Sequence, residues 1–462
     1  MKNVDTKHSE YQERYPDWEA IEHAMEGQRE IHEQGTKILP RLSGQTDDEY
    51  KSYKQAALWF NATARTIDGL TGMLFLKPPV IEQTGMDAIV DDITMSGLSL
   101  HQFAEIVAEQ AVALGRCGVL VDYPPLDVGA ITLADAQQLG ARPYATMYTA
   151  ESIINWKIGR INNKQSLNLV VLEEESEIAI DEFKHETVEQ WRVLDLENGA
   201  YRQRVFQKDK RGEFQIISEI YPQMNGKTMS FIPFEFIGIR DNTPCVDKPA
   251  ILDLVDVNYS HYRTMAQLEN GRAFTGSPQA WVAGVHLEAG TKLSIGSTNA
   301  WVFPDPQSSA NYLEFTGKGL EELRIALAEK EAMMAMLGAR MLAPEKKAAE
   351  AAQTASIHRA GENSVLASIS QSISIGLTHI LEWLRDWSGG NGNVKITLNR
   401  EFMPQSMTAQ DLQALVTSWQ SGAISHLSLF ELLKKGDIIA NERNFDDEKE
   451  LITMNPVGGA LL

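Results

Sequence analysis

Two short stretches of the sequence hold residue types that could do chemistry. Asn225-Gly226-Lys227-Thr228 resembles the end of a phosphate-binding loop, but that loop needs a glycine five residues before Gly226, where Tyr221 stands. His185-Glu186-Thr-Val-Glu189 resembles half of a zinc-binding helix, and the second histidine is absent. We interpret the first as a non-binding loop and the second as a solvated turn.

A third candidate is Cys117, which lies between Gly115 and Gly118 at the predicted end of a helix. A thiol at such a position could have a lowered pKa. Its sequence neighbours include no histidine or asparagine, the other histidines are scattered, and no carboxylate pair stands alone in an apolar setting. We therefore predict no catalytic residue, no metal site and no cofactor, and we expect that the protein is not an enzyme.

The composition sets limits on the class of protein. The chain has 462 residues, 43% of them hydrophobic, which is enough for about two or three domains with real cores. Its net charge of −21 and the lack of a dense Lys/Arg run argue against tight binding to phosphates. Two cysteines make no disulfide framework, so we expect a reducing compartment. The sequence shows no signal peptide and no apolar run long enough to span a membrane.

The first half of the chain predicts helices followed by strands. Capping boxes at Thr46-x-x-Glu49 and Ser99-x-x-Gln102 predict two helices, the first running from Tyr50 to Leu74 and the second ending at Gly115. A buried strand should follow at Val119–Asp122. Between about residues 144 and 239 the pattern is typical of β structure, with strands at 167–172, 188–196, 201–207, 214–220 and 231–239, and turns at Asn198-Gly199 and Asn225-Gly226.

A β-type segment between two helices follows. The first helix should begin after Asp247-Lys-Pro249 and end at Asn270-Gly271. Residues 274–315 are rich in Gly, Pro and Ser, with short β pieces at 280–282 and 300–303. The second helix repeats apolar residues in a three-four pattern, interrupted only by Lys330: Leu320, Leu323, Leu327, Met334, Leu337 and Met341.

A long helical stretch comes next, between Pro344 and Gly389. Its C-terminal part is strongly amphipathic, whereas its first third has no large apolar residue to anchor it, so we expect a mobile, charged segment there. A strand at 394–398 and a helical pair beginning near Thr408 should end the chain.

Several of these stretches resemble one family. They are Pro249 to Tyr262, Glu269-Asn270, Thr275 to Pro278 with Gly284, Ala64 to Pro79, and Gly115 to Pro124. The family comprises tailed-phage and prophage proteins long treated as a domain of unknown function and commonly interpreted as portal proteins. The resemblance covers roughly residues 15–455 and rests on the order of these motifs.

The resemblance implies an α+β portal fold. It would contain a helical wing with a β-rich part, two stem helices flanking a small β clip, a long wing helix and a helical C-terminal crown. The implied boundaries are 1–45 for an N-terminal arm, 46–248 for the wing, 249–272 for stem helix 1, 273–316 for the clip, 317–341 for stem helix 2, 342–352 for a tunnel loop, 353–400 for the long wing helix and strand, and 401–462 for the crown.

The same resemblance implies three sets of site residues. The tunnel loop lining a DNA channel would comprise Leu342, Ala343, Pro344, Glu345, Lys346, Lys347 and Glu350. The stem interface would comprise Leu320, Leu323, Leu327, Met334, Leu337, Tyr262 and Met265. The clip docking surface would comprise Trp281, His286, Lys292 and Trp301.

As a portal, the chain would form a homo-oligomeric ring, expected to be a 12-mer, at one capsid vertex in the virion, after assembly in the host cytoplasm. Double-stranded DNA would pass without sequence-specific contact, and an acidic wall would repel it rather than hold it. The expected partners are the terminase large subunit, the major capsid and scaffolding proteins and a head–tail adaptor, with no membrane.

Two other functions remain open on the sequence. A head–tail adaptor or minor capsid protein is usually shorter and lacks a β segment between paired helices. A phage nucleic-acid-processing enzyme would need a metal or phosphate motif, which this sequence does not show.

Overall fold

A computed structural model describes residues 3–124, 140–161, 163–276, 279–284, 301–303, 305–313, 317–340, 365–400, 402, 409–420, 423–435, 438–439 and 443–454. Helices and antiparallel sheets are both present, so the fold is α+β as predicted. The chain forms two compact units, residues 1–400 and 401–462. No described helix is both long enough and apolar enough to cross a membrane.

The larger unit begins with a group of helices. They are α1 (Ser9–Glu26), α2 (Gln28–Gln34), a 3-10 turn (Gly35–Lys37), α3 (Asp47–Ala56), α4 (Ala62–Leu74), α5 (Asp87–Asp91) and α6 (Leu100–Leu114). Both predicted capping boxes are present, at Thr46 with Glu49 and at Ser99 with Gln102. Gly115 ends α6 in the left-handed conformation, with φ 81°.

The single helix predicted from Tyr50 to Leu74 is wrong, because the chain breaks it into α3 and α4. Ala57 is extended, and the side chain of Asn61 accepts a hydrogen bond from the backbone N–H of Ala64, which caps α4. The three-four apolar spacing continues across the break, so periodicity alone could not detect it.

The strands of the β-rich part and the one before it are β1 (Val80–Glu82), β2 (Arg116–Asp122), β3 (Tyr144–Thr149), β4 (Ile153–Ile161), β5 (Lys164–Ala179), β6 (His185–Glu197), β7 (Ala200–Lys208), β8 (Phe214–Ile220), β9 (Gln223–Met224), β10 (Lys227–Thr228) and β11 (Phe234–Gly238). Two larger antiparallel sheets make up most of the β-rich part. The first has three strands in the order β11-β2-β3, and its central strand β2 is buried throughout. The second is a meander of five strands, β4 to β8.

The predicted turns have the backbone that their residue types favour. Asn198 and Gly199, with φ 53° and 80°, join β6 to β7, and Asn225 and Gly226, with φ 53° and 71°, join β9 to β10. Both residues of each turn adopt positive φ, as type I′ hairpins require. His185-Glu186, predicted as a turn, instead opens strand β6 opposite Ala179 and Ile178.

The next elements are α7 (Leu252–Gly276), the hairpin of β12 (Gln279–Ala283) with β13 (Ser309–Leu313), and α8 (Lys318–Arg340). Helix α7 does not end at Asn270-Gly271 as predicted but continues to Gly276. The strand predicted at 300–303 is absent from residues 301–303, the part of that segment that the structure describes.

Helix α9 (Val365–Trp387) packs its apolar face on β11, β14 and α6, and Gly389, with φ 76°, follows it as expected. Strand β14 (Lys395–Thr397) pairs with β1. The smaller unit holds α10 (Ala409–Gln420), α11 (His426–Lys435) and α12 (Phe445–Met454), one helix more than the predicted pair. Residues 341–364, including the polar first third of the predicted long helix, lie outside the described part.

Candidate functional site

Helices α7 and α8 run antiparallel and keep one register along much of their length. Near the hairpin, a Cβ atom at Gly271 would lie 2.4 Å from Leu320 Cδ2. Farther along, His261 Nε2 lies 3.3 Å from Glu331 Oε1. At the other end, a Cβ atom at Gly338 would lie 3.9 Å from Leu254 Cδ1. These contacts span about 25 Å of helix.

Lys330, the residue that interrupts the apolar pattern of α8, links the two helices. Its Nζ donates hydrogen bonds to the Ser260 carbonyl oxygen at 3.1 Å and to Thr264 Oγ1 at 2.5 Å. Burial lowers the pKa of Lys330 from its ordinary value. Lys330 therefore makes directional hydrogen bonds from α8 to α7 within an otherwise apolar seam. These bonds add to the side-chain packing that fixes the register of the two helices.

His261 is a second polar contact on this seam. Its side chain is 1% exposed and lies beside Glu331, with the Phe60 ring 5.4 Å away between centroids. Burial lowers the pKa of His261, and this outweighs the opposite influence of the Glu331 carboxylate. The imidazole is thus held mainly neutral at neutral pH.

Asn258 anchors α7 to the N-terminal helices. Its Oδ1 accepts from the backbone N–H and the hydroxyl of Thr63, at 3.2 and 2.9 Å, and its Nδ2 donates to the Phe60 carbonyl oxygen at 2.8 Å. Asn258 is fully buried, and these bonds occupy its amide. The base of the helix pair is therefore fixed to the body of the larger unit.

The predicted stem-interface residues differ in burial and in their neighbours within the single chain. Leu327 and Met334 are buried, with 5% and 2% of their surface exposed. Four other residues of the predicted interface are half-buried: Met265 on α7, and Leu320, Leu323 and Leu337 on α8. Tyr262 is fully buried, but its neighbouring rings are Trp59 at 5.8 Å and His32 at 6.3 Å. Tyr262 thus packs on the N-terminal part of the chain.

The opposite face of α8 exposes large apolar side chains. Ile325, Met333 and Met336 are 45%, 46% and 49% exposed. Ile325 and Met336 are about three turns apart and lie on the same face, away from Leu327 and Met334. Helix α8 carries four glutamates and four lysine or arginine residues. Its own net charge is therefore close to zero, although the net charge of the whole chain is −21.

The hairpin presents one of the predicted docking residues. Trp281 lies opposite Asn311 in the β12–β13 pair and is 42% exposed. Trp301 is half-buried. His286, Lys292 and the whole predicted tunnel loop, residues 342–352, lie outside the residues that the structure describes.

The structure also shows the surroundings of the sequence motifs that could have carried chemistry. Lys227 and Thr228 form the two-residue strand β10, without the helix that a phosphate loop requires. Cys117 is fully buried in β2, and burial raises its thiol pKa to about 12, so the lowered pKa that its sequence position allowed is not found. Within the described ranges no three His, Cys, Asp or Glu side chains are grouped as metal ligands would be.

A polar cluster between the two sheets was missed by the sequence analysis. Arg192 donates to both carboxylate oxygens of Glu174, at 2.6 and 3.3 Å, and Tyr148 donates to Glu174 at 2.6 Å. Asp122 accepts from Gln203 Nε2 at 3.0 Å. These side chains come from five strands of the two sheets, and the only local signal is a charged residue at the end of the apolar run of β2.

The cluster borders an open cavity of about 330 Å³ between the sheets. Burial raises the pKa of Asp122. Burial also acts to raise the pKa of Glu174, but the hydrogen bonds and charge of Arg192 outweigh it, so this pKa is lowered. Arg192 is paired with Glu174 and also lies 4.0 Å from Asp122, so one guanidinium serves both carboxylates.

Residues 250–388 match a family described as a domain of unknown function, DUF4055. The match covers less than a third of the chain. It includes both helices α7 and α8, the hairpin and α9, and it confirms the predicted resemblance to a domain of unknown function over these residues. The stretches 64–79 and 115–124 lie outside it. No curated protein matches the chain.

The solved structures that match this chain include chains of gene transfer agent particles. One is described as the virion of a native particle, with 11% identity and a TM-score of 0.40, covering 87% of this chain and 98% of that chain. Another, the neck of an empty particle computed with C6 symmetry, has 11% identity and a TM-score of 0.40, covering 86% and 95%. A third, the neck of a native particle computed with C12 symmetry, has 10% identity and a TM-score of 0.39, covering 87% and 98%.

Proposed function

We propose that this chain is a phage-type portal protein, a non-enzymatic subunit of a ring at one capsid vertex. The observation that carries the proposal is the helix pair α7–α8, held in one antiparallel register with a small β hairpin inserted between its helices. This is the arrangement that the portal resemblance implies for a stem and a clip. The match of residues 250–388 to a single family supports treating these elements as one unit.

In this proposal the exposed apolar face of α8 is covered by the next subunit of the ring. Ile325, Met333 and Met336 are about half exposed in the single chain. Burying apolar surface contributes about 25 cal/mol per Å². A ring buries such a stripe once per subunit, so many modest contacts combine into a stable assembly.

The charge balance of α8 suits a channel that conducts DNA without retaining it. Equal numbers of acidic and basic residues offer a duplex few contacts that release counterions, and such release is the main source of affinity for DNA. The predicted tunnel loop mixes Lys346 and Lys347 with Glu345 and Glu350. We propose that this loop makes brief contacts with the phosphate backbone.

The partners follow from the same proposal. The hairpin, with its exposed Trp281, would dock the terminase large subunit during packaging and a head–tail adaptor afterwards. The wing would contact the major capsid and scaffolding proteins. The protein would be located in the virion.

Electron microscopy of the purified full-length chain tests the ring. We expect particles with a central hole and cyclic symmetry, with a mass near twelve subunits by mass photometry. Monomers at micromolar concentration, or nuclease or ATPase activity, would contradict the proposal.

A genetic experiment separates a portal from a head–tail adaptor. In a phage or prophage that encodes this chain, loss of a portal should leave no DNA-filled heads. Loss of an adaptor should leave heads that fill with DNA and then release it. Filled heads in the deletion strain would assign the chain to the neck instead.

A further inference from the structure

Strands β5 and β6 extend beyond the sheet that contains them. Strand β4 pairs with β5 only as far as Leu172, and β7 pairs with β6 only from Gln190 onward. Residues 174–189 therefore form a two-stranded ribbon, which we call the distal ribbon, and its outer edges pair with no described strand. Such a ribbon is marginally stable on its own and offers unpaired backbone groups to another strand.

One face of the distal ribbon carries two apolar side chains, Ile178 and Val188, among polar ones. Residues directly opposite each other in an antiparallel pair share a face, so Ser176 with Val188 and Ile178 with Glu186 lie on one side. Ile178 is 45% exposed. At the turn, Phe183 is 86% exposed, which is unusual for an aromatic side chain.

The other face is acidic. Glu175 lies directly opposite Glu189, and Glu177 follows on the same side. Like charges opposite each other in a sheet destabilise it. Residues 173–189 contain eight Asp and Glu residues and one lysine, so the repulsion has little internal relief.

The cavity between the sheets lies at the base of the ribbon, on the face that carries Ile178. Glu174 and Gln190 lie opposite each other on that face, and both line the cavity together with Asp122, Tyr148 and Arg192. Arg192 is bonded to Glu174 and also lies 4.0 Å from Asp122, so both of these carboxylates already have a cationic partner. A basic side chain from another protein therefore finds its acidic contacts on the ribbon rather than in the cavity.

We propose that the distal ribbon binds an extended basic segment of a partner protein. The segment adds a strand to an open edge of the ribbon and places an apolar side chain against Ile178 and Val188. Its lysine or arginine side chains lie on the other face, beside Glu175, Glu177 and Glu189. Alternating basic and apolar residues meet both requirements, since successive side chains of a strand point to opposite sides.

Charge favours a basic partner over a second copy of this chain. Two copies with a net charge of −21 each repel, and neither contains a dense basic run to place on the ribbon. A basic strand relieves the repulsion between Glu175 and Glu189 and pairs the open backbone edge. This interaction is independent of ring formation and concerns a different surface from the helix pair.

A binding experiment with the full-length protein tests the proposal. The probe is a fluorescein-labelled peptide of four Lys-Val repeats, followed by fluorescence anisotropy. We expect saturable binding that weakens at least tenfold between about 50 and 500 mM NaCl, because exposed charge pairs are screened. Peptides of four Glu-Val repeats should not bind, and four Lys-Ser repeats should bind at least tenfold more weakly.

Protein variants locate the site. Ile178→Ser with Val188→Ser, and separately Glu175→Gln with Glu189→Gln, should each weaken Lys-Val binding at least fivefold without changing the thermal unfolding midpoint by more than a few degrees. Matched controls are Ile217→Ser, which is 52% exposed on β8, and the pair Glu13→Gln with Glu26→Gln, exposed on α1. These controls should bind as the parent does.

The outcomes that overturn the proposal are distinct. Absence of saturable Lys-Val binding, or equal binding by the ribbon variants and the controls, would reject the distal ribbon as the site. Self-association that is lost in Phe183→Ser, without peptide binding, would assign the surface to a second copy of the chain.

Discussion

The Cδ2 methyl group of Leu320 occupies the space into which a side chain at Gly271 would project, 2.4 Å from the position of a Cβ atom. Helices α7 and α8 therefore approach closely beside the hairpin. Gly271 leaves room for the end of the Leu320 side chain and does not form a turn, because it lies inside α7 and is not among the glycines with positive φ.

Replacing Gly271 with leucine should separate the two helices at the hairpin end. Overpacking of this kind costs about 1–3 kcal/mol. Denaturant unfolding followed by circular dichroism measures the change.

Gly319→Leu is the matched control, because nothing lies within 4 Å of a Cβ atom there. It should leave stability unchanged or raise it by up to about 1 kcal/mol, since glycine weakens a helix by that amount. Equal destabilisation by both variants would show that the close approach has no energetic consequence.

Changing Leu327 to aspartate should disrupt the helix pair. Leu327 is 5% exposed, and an unpaired buried charge costs several kcal/mol. Ala328→Asp introduces the same charge at an exposed neighbouring position and should be tolerated. Mass photometry should show assembly of the control and none of the Leu327 variant; assembly of both would place Leu327 outside the packing surface.

His261 should make the helix pair sensitive to acid. Its folded pKa lies below the ordinary 6.5, so the unfolded chain binds this proton first as the pH falls. The stabilisation is complete above about pH 6.5 and is lost as the pH falls through the folded pKa. His261→Gln should therefore show a smaller loss of unfolding midpoint between about pH 7.5 and 5 than the parent. His101→Gln, at an exposed position, should behave as the parent does. The same pH dependence of the unfolding midpoint in all three proteins would exclude His261 as the group responsible for acid sensitivity.

Glu151 should act in the opposite direction. Burial raises the pKa of its carboxyl to about 9, and the hydrogen bond and charge of Glu22 add to this. The unfolded chain loses the proton near pH 4.5, so this contribution is complete below that pH and is lost as the pH rises through about 9. Glu151→Gln should flatten the decline in unfolding midpoint between about pH 6 and 9. Glu13→Gln, with a 71% exposed side chain, serves as the control. If the unfolding midpoint of Glu151→Gln declines with pH as steeply as that of the parent, the pKa of Glu151 is not raised in the folded protein.

Trp281 should matter for partner docking and not for folding. The side chain is 42% exposed on β12, so Trp281→Ala should unfold at the parent's temperature and lose at least tenfold in affinity for the packaging motor of its phage. Phe274→Ala removes another exposed aromatic, at the end of α7, and should retain the parent's affinity. Surface plasmon resonance compares the two, and parental binding by Trp281→Ala would move the docking site elsewhere.

Local signals in the sequence predicted much of the fold. The capping boxes at Thr46 and Ser99 and the turns at Asn198-Gly199 and Asn225-Gly226 depend on residues within four positions of one another, so they could be recognised without tertiary information. The β-rich part was also located correctly, although β3 and β4 were not assigned as separate strands.

Features that depend on distant residues were predicted poorly. Gly271 suggested a helix end, and only the position of Leu320 explains why the helix continues. Lys330 interrupts the apolar pattern of α8, and only its hydrogen bonds to Ser260 and Thr264 on α7 explain why a lysine stands there. The cluster of Asp122, Glu174 and Arg192 joins separate strands, and no spacing along the chain encodes it.

Strands β1 and β14 pair Val80 with Thr397, residues more than three hundred positions apart in the chain. A ribosome makes the chain from its N-terminus, so β1 must wait for more than three hundred further residues before its partner leaves the exit tunnel. Until then α6 and β11 also lack the cover of α9. Closing so long a loop delays folding, and the nascent chain exposes this apolar surface until α9 and β14 have been made. Productive folding of this protein therefore waits for residues 365–397, and we expect fragments that stop before residue 395 to be retained by chaperones or degraded.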